Sequence, residues 1–137
     1  MALTPVEPSL FVILGATGDL TRRKLFPALA RLVSRGLAGE PFLVLGVGRT
    51  AEMTDASFRA IAHDIVQSME PRPGRWCDQC VFYQAARDSE ADYRALGARI
   101  EQIEREHGLS GNRVFYLALP PSAFGPTIDA LGRTGLT

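Results

Sequence analysis

The 137 residues are enough for one domain with a single core, and the 15 basic and 15 acidic side chains cancel. Hydrophobic residues make up 46% of the chain and charged residues 22%, as in soluble globular proteins. With no net charge and no apolar run of roughly 20 residues, the composition argues against a nucleic-acid or membrane partner. No basic segment precedes the first apolar stretch, as it would in a signal peptide, so we expect a cytoplasmic protein.

Two periodicities alternate along the chain. Runs that are apolar on both faces predict buried strands at residues 10–14 and 42–47, and residues 81–85 and 113–119 are a third and a fourth candidate strand. Each run is followed by a helical pattern, with apolar positions at Leu25, Leu29, Leu32 and Val33; Phe58, Ile61, Ala62, Ile65, Val66 and Met69; Tyr93, Leu96, Ile100 and Ile103; and Phe124, Ile128 and Leu131. This order predicts an α/β fold, a Rossmann-like parallel sheet of about four βα units with helices on both faces.

Local signals indicate how the helices begin. Thr54 or Asp55 is expected to cap the second helix, and Ser89 opens a Ser-Glu-Ala-Asp segment resembling a capping box before the third. Ser122 is expected to cap the fourth helix. Pro27 lies inside the first helical pattern and removes one backbone donor, which predicts an irregular first turn.

The strongest chemical signal is the turn between the first strand and the first helix, Gly15-Ala16-Thr17-Gly18-Asp19. Gly15 allows a tight turn, and Gly18 lacks a Cβ, so a pyrophosphate can approach the backbone closely. The start of the next helix offers free N–H groups and a partial positive charge. Thr21 stands where the usual fingerprint has a third small residue, so a turn that serves only packing is the alternative.

The end of the second strand bears on which dinucleotide is bound. Folds that prefer NAD place an acidic residue near this point, where it binds the ribose 2′-hydroxyl. The segment Gly46-Val47-Gly48-Arg49-Thr50 has none, and a guanidinium suits a 2′-phosphate. The pattern therefore favours NADP, with NAD as the other candidate and a solvated surface arginine as the alternative interpretation.

Other motifs point to no further chemistry. Cys77 and Cys80 precede a predicted strand, where neither a redox pair nor a four-ligand zinc site fits, so we expect two reduced thiols in a loop and no metal site. His63 and His107 fall on predicted helices, and no motif for a catalytic residue is present. Lys24 is the only lysine, so the Tyr-x-x-x-Lys pair of short-chain dehydrogenases and related epimerase-type reductases is missing.

These features together resemble the N-terminal part of the glucose-6-phosphate dehydrogenase family. The resemblance is carried by residues 13–29 (ILGATGDLTRRKLFPAL), by Val47-Gly48-Arg49 and by residues 112–124 (NRVFYLALPPSAF), and it covers nearly the whole chain in the same order. It implies one NAD(P)-binding domain over residues 1–137. It also implies an NADP-dependent dehydrogenase of the pentose phosphate pathway, which oxidises glucose 6-phosphate to 6-phosphogluconolactone.

The resemblance assigns roles to particular residues of this chain. It implies that Lys24 reaches the cofactor and substrate side of the cleft, a place where a compact ammonium meets phosphate or sugar oxygens. The other cofactor-binding residues that it implies are Gly15, Ala16, Thr17, Gly18, Asp19 and Leu20 for the pyrophosphate; Arg49 and Thr50 for the 2′-phosphate; Ala85 and Ala86 for the adenine; and Ala118, Leu119 and Pro120 for the nicotinamide.

Two segments of the family are not found in these 137 residues. The Glu-Lys-Pro-Phe-Gly segment, with a substrate-binding lysine, would follow Thr137, and the Arg-Ile-Asp-His-Tyr-Leu-Gly-Lys segment, with the histidine base, would come later in an α+β substrate domain. We therefore expect this chain to be inactive alone and to meet glucose 6-phosphate only in a full-length form. We also expect self-association through an open sheet edge, at the fourth or the first strand. A non-catalytic dinucleotide-binding module or sensor is the alternative.

Overall fold

Four parallel strands form one sheet in the computed structural model, which describes residues 9–38 and 41–136. The strands are β1 (Ser9–Leu14), β2 (Phe42–Gly48), β3 (Val81–Ala85) and β4 (Arg113–Leu117), and their order is β3-β2-β1-β4. The predicted strands are thus confirmed. β4 ends two residues before the predicted boundary, and the next N–H, that of Ala118, still donates to Leu14 O at 2.8 Å.

Helices cover both faces of the sheet, as predicted. They are α1 (Phe26–Ser34), α2 (Asp55–Val66), α3 (Trp76–Gln79), α4 (Glu90–His107) and α5 (Phe124–Arg133). Alternate side chains of β1 and β2 enter two separate cores, because successive residues of a strand point to opposite faces. One core includes residues of α4 and α5, and the other includes residues of α1, α2 and α3.

The helix after β1 begins irregularly. Residues Thr21–Leu25 form a π-helical turn, which continues as α1 from Phe26. Pro27 stands in the first turn of α1, where a missing N–H and a fixed φ are tolerated. The irregular first turn predicted from Pro27 is therefore confirmed.

The predicted helix caps have different outcomes. Thr54 caps α2 in a capping box with Ser57. The hydroxyl of Ser89 accepts a hydrogen bond from the N–H of Asp92 at the start of α4. In a full capping box the Asp92 carboxylate would accept the N–H of Ser89, but here it accepts the N–H of Arg87.

The cap predicted at Ser122 is wrong. Ser122 lies inside a 3₁₀ turn, Pro121–Ala123, and Ala123 is the residue that precedes α5. The N–H of Ala123 donates to Pro120 O at 2.9 Å, so the chain enters the helix through a backbone turn rather than a side-chain cap.

The segment with the two cysteines was predicted as a loop, and this is also wrong. Cys77 lies in the short helix α3 and Cys80 directly follows it, and the helix forms because Trp76 is buried there and its indole N–H donates to Phe42 O at 2.7 Å. Burial, followed by the charge of Asp78, raises the pKa of Cys77 to about 11, so this thiol stays protonated near neutral pH. Within the described residues no group of three or more metal-binding side chains is present.

The two edges of the sheet differ. At the β3 edge, side chains of α2 occupy the outward backbone groups: Asp55 accepts the N–H of Tyr83 at 2.8 Å, and the Nε–H of Arg59 donates to Val81 O at 2.6 Å. At the other edge, β4 exposes Val114 and Tyr116, 45% and 38% accessible. The alternative of an open first strand is wrong, because β1 lies between β2 and β4.

No helix among residues 9–38 and 41–136 combines the length and apolarity that crossing a membrane requires.

Candidate functional site

Thirteen of the fourteen predicted site residues lie at the carboxyl ends of the strands. The strands are parallel, so their carboxyl ends and the loops that follow them lie on the same side of the sheet. Residues 15–20 follow β1, residues 49–50 follow β2, residues 85–86 end β3 and begin the next loop, and residues 118–120 follow β4. The chain direction across the sheet reverses between β1 and β4, the place where open α/β sheets form a ligand crevice.

Gly15 is required where the loops after β1 and β4 touch. Its φ is +96°, a conformation that L side chains rarely adopt. A Cβ at this position would also lie 2.2 Å from Ala118 O and 3.2 Å from Cδ2 of Leu119. The glycine loop therefore lies directly against the loop after β4.

Three N–H groups of the glycine loop form hydrogen bonds within the protein. The amides of Gly15 and Ala16 both donate to Val47 O, at 2.9 and 3.0 Å, and the amide of Gly18 donates to Gly15 O at 3.1 Å. These bonds hold the turn in shape and attach it to β2. They also remove three of the donors that an anion could use in this loop.

The free donors come from the helical segment that follows. Its first backbone hydrogen bond runs from the N–H of Arg22 to Gly18 O, at 3.2 Å. The N–H groups of Asp19 and Leu20 come before this bond and therefore have no carbonyl within the helix to donate to. Residues 17–20 are exposed. A Cβ at Gly18 would meet one heavy atom within 4 Å, Gly15 O at 3.3 Å, so a side chain there would extend outward from the loop. Because Gly18 has no side chain, the approach to these amides stays open. The arrangement is the one in which a helix start binds a phosphate.

Thr21 takes the place of the third small residue of the usual fingerprint. It is 2% exposed, and its hydroxyl donates to Gly15 O at 3.1 Å. The side chain therefore ties the helix start to the glycine turn, which explains how a larger residue fits there.

Arg49 is exposed beyond the end of β2, where it pairs with the carboxylate of Asp88. One terminal nitrogen of its guanidinium lies 3.4 Å from Asp88 Oδ2, and the two side chains are 68% and 84% exposed. Exposed ion pairs contribute about 0–1 kcal/mol. Arg49 can therefore exchange this carboxylate for a phosphate at little cost.

Small residues bring the ends of β2 and β3 together. Ala85 pairs with Gly48 in the sheet, and the N–H of Ala86 donates to Gly48 O at 2.9 Å. Both alanines pack inward: Ala86 is 9% exposed and belongs to the core that includes residues of α4 and α5, and Ala85 is partly buried against the other core.

A cavity of about 120 Å³ adjoins the glycine loop on the side of α1 and α2. Thr17 and Thr50 line it together with Arg22, a cation that the sequence pattern did not single out. Arg22 could have been noted from its position in the first turn after Gly18. A larger cavity, about 780 Å³, lies beside Phe42 and Trp76 at the amino edge of the sheet, away from the predicted site residues.

Lys24 is the one predicted residue outside these loops. It lies exposed on the π-helical turn, and no hydrogen bond or ion pair of Lys24 occurs within the described part of the chain. Its predicted reach toward the cofactor stays a prediction.

A parallel sheet with a glycine turn at its reversal point, followed by a helix start with free amides, defines the chain as a dinucleotide-binding domain of the Rossmann type. The family model for "Glucose-6-phosphate dehydrogenase, NAD binding domain" matches residues 12–137. The chain therefore belongs to the glucose-6-phosphate dehydrogenase family, and the match is to the family's NAD-binding domain.

Individual relatives agree with this assignment. A glucose-6-phosphate 1-dehydrogenase of Aggregatibacter actinomycetemcomitans is 40% identical over 134 residues, which are 95% of this chain and 27% of that protein. One from Bacillus subtilis is 32% identical over 129 residues, 94% of this chain and 26% of that protein. The chain thus spans about a quarter of the length of these relatives.

Solved structures show the same fold. A glucose-6-phosphate dehydrogenase in complex with its substrate glucose-6-phosphate superimposes with a TM-score of 0.82, at 29% identity, over 98% of this chain and 29% of that one. The glucose-6-phosphate 1-dehydrogenase from Mycobacterium avium gives a TM-score of 0.74, at 25% identity, over 96% of this chain and 28% of that one.

Proposed function

We propose that this chain binds NADP and is the coenzyme-binding part of a glucose-6-phosphate dehydrogenase. The observation that carries the proposal is the glycine turn at the β1–β4 reversal point, with the free amides of Asp19 and Leu20 directly after it. That turn fits an anion because the residues that carry these free amides are exposed and the residue beside them, Gly18, has no side chain. The pyrophosphate is held here by the amides after Gly18 rather than by those of Gly15 and Ala16.

Arg49 supports NADP over NAD. Within the proposal its guanidinium leaves Asp88 and forks onto the 2′-phosphate, with the exposed hydroxyl of Thr50 as a second donor. No acidic residue occupies the strand end itself, where NAD-preferring folds bind the 2′-hydroxyl.

The remaining predicted residues have positions that suit the rest of the cofactor. We assign the adenine to the small residues Ala85 and Ala86 at the end of β3, and the nicotinamide to residues 118–120, which follow β4 where that loop meets Gly15. When bound, the nicotinamide accepts a hydride. Lys24 is assigned to the side of the crevice that faces the sugar substrate.

The oxidation of glucose 6-phosphate to 6-phosphogluconolactone is proposed for a full-length form. Removal of the proton from the sugar hydroxyl needs a base, and the sequence pattern of these 137 residues assigned none. We therefore expect the purified chain to bind NADP without reducing it when glucose 6-phosphate is added, as measured by NADPH fluorescence.

Arg49→Glu tests the proposed cofactor preference. Charge reversal removes a charge-assisted hydrogen bond to the 2′-phosphate, so NADP should bind about 2–3 kcal/mol more weakly, roughly 30- to 150-fold. NAD has no 2′-phosphate and should lose little. Isothermal titration calorimetry of the purified chain with each dinucleotide measures both dissociation constants.

The matched control is Arg72→Glu, the same charge change in an exposed loop between α2 and α3. It should leave both dissociation constants unchanged. Equal losses of NADP and NAD in Arg49→Glu would remove the 2′-phosphate role, and a wild-type chain that binds neither dinucleotide would overturn the proposed function.

We further propose that two copies of this chain associate through the β4 edge, since α2 side chains occupy the β3 edge. Light scattering should give a mass above the 14.9 kDa of one chain. Val114→Lys places a charge on this exposed strand and should restore the monomer, whereas Leu32→Lys, at a similarly exposed position of α1, should not. A monodisperse wild-type monomer would contradict the association.

A further inference from the structure

Tyr83 is a buried polar side chain that the proposed function does not use. It is 4% exposed and packs against Phe58, with ring centroids 5.4 Å apart. Its hydroxyl donates to the main-chain carbonyl of Thr50 at 3.0 Å. Burial raises the pKa of Tyr83, with the hydrogen bond to Thr50 acting in the opposite direction, so the hydroxyl keeps its proton and remains a donor.

The hydroxyl lies where two loops of the candidate site meet. A Cβ on Gly48 would be 2.8 Å from the Tyr83 hydroxyl oxygen and 3.2 Å from both Cγ2 and Oγ1 of Thr17. Gly48 immediately precedes Arg49, and Thr17 belongs to the glycine loop. The absence of a side chain at position 48 therefore lets the tyrosine reach the loop after β2 beside the glycine loop.

Tyr83 is anchored at its other end. Its main-chain N–H donates to Asp55 Oδ1 at 2.8 Å, and Asp55 Oδ2 accepts from a guanidinium nitrogen of Arg99 at 2.8 Å. The Thr50 carbonyl also accepts the N–H of Met53, but at 3.4 Å. The tyrosine hydroxyl thus makes the shorter of the two bonds to this carbonyl.

We propose that Tyr83 is a positioning residue that increases the preference for NADP over NAD by holding the backbone of Arg49 and Thr50. The inference rests on the proposed function, because it acts through the 2′-phosphate contact of Arg49. Without the hydroxyl, the Thr50 carbonyl keeps only the long bond from Met53 among the described residues, so part of the cost of ordering this loop is paid when the phosphate binds. That cost falls on NADP and not on NAD, which makes no contact with Arg49 through a 2′-phosphate.

The test is Tyr83→Phe, which keeps the ring in the core and removes only the hydroxyl. Losing one hydrogen bond of this kind should weaken NADP binding by roughly three- to tenfold and NAD binding by less than about twofold, as measured by calorimetry. Hydrogen–deuterium exchange of residues 49–53 should also become faster in the absence of nucleotide. Tyr93→Phe is the matched control, since Tyr93 is 6% exposed and its hydroxyl has no hydrogen bond within the described residues.

Titrating Arg49→Glu beside these variants separates the two proposals. If Arg49→Glu loses NADP selectively but Tyr83→Phe changes neither dissociation constant, or changes both equally, the role of Tyr83 is overturned and the proposed function stands. If the wild-type chain binds no NADP, both are overturned. A selective loss in Tyr83→Phe that Tyr93→Phe does not share supports the positioning role.

Discussion

Gly15→Ala is expected to lower the free energy of unfolding by about 2–6 kcal/mol, roughly 7–20 °C in Tm. A non-glycine residue at a φ of +96° costs about 1–3 kcal/mol, and forcing a methyl group into filled space costs about 1–3 kcal/mol more. The clash is with a backbone oxygen, Ala118 O at 2.2 Å, which cannot swing away as a side chain would. Urea denaturation followed by circular dichroism measures the loss.

Gly36→Ala is the control that isolates the clash. Gly36 has a φ of +68°, but a Cβ there would meet nothing within 4 Å. This variant should therefore lose only the conformational part, about 1–2 kcal/mol. Equal losses at the two positions would mean that β1 and β4 separate readily, and that the contact between Gly15 and Ala118 does not constrain the crevice.

Gly18→Val is expected to abolish dinucleotide binding while the protein stays folded, a loss on the order of 100-fold or more in affinity. Gly18 has no positive φ, and a Cβ there would make one tight contact, with Gly15 O at 3.3 Å, which a shift of a few tenths of an ångström relieves, so we expect the fold to survive the substitution. The branched side chain would instead stand beside the free amides of Asp19 and Leu20, where we assign the pyrophosphate. Calorimetry with NADP and thermal unfolding measure the two effects separately.

Gly132→Val makes the same change at an exposed helical glycine of α5 with nothing near its Cβ, and it should leave NADP binding intact. If Gly18→Val bound NADP as tightly as the wild-type chain, the glycine loop would serve only the packing of the helix start against β1. A cooperative unfolding transition in both variants shows that the comparison is between folded proteins.

The larger elements of the fold could be predicted because each carries its own periodic signal. β2 is buried at every position, and its apolar run is continuous, so both faces of the strand had to be covered. Where a long-range contact overrides the local pattern, prediction failed. α3 forms because Trp76 inserts beside Phe42, 34 residues earlier in the chain, and no local pattern shows that contact.

The candidate site, too, could be predicted from the sequence only in part. The glycine turn and Arg49 could be found from residue types placed after predicted strands, since such turns need particular residues. Which amides remain free could not be found in this way. Gly15 and Ala16 lose theirs to Val47, a residue of the neighbouring strand, and this pairing exists only in the folded sheet.

The amino-acid sequence alone therefore determined the family, the alternation of strands and helices, and the loops that carry the candidate site, because local periodicity and short motifs encode them. Only the tertiary structure decided the strand order, the place of β4 at the end of that order among the described strands, and the contact of Tyr83 with Thr50. Those features depend on residues that are far apart in the chain and meet only when the apolar faces are buried. The residue type at one position does not show which distant residue it will contact.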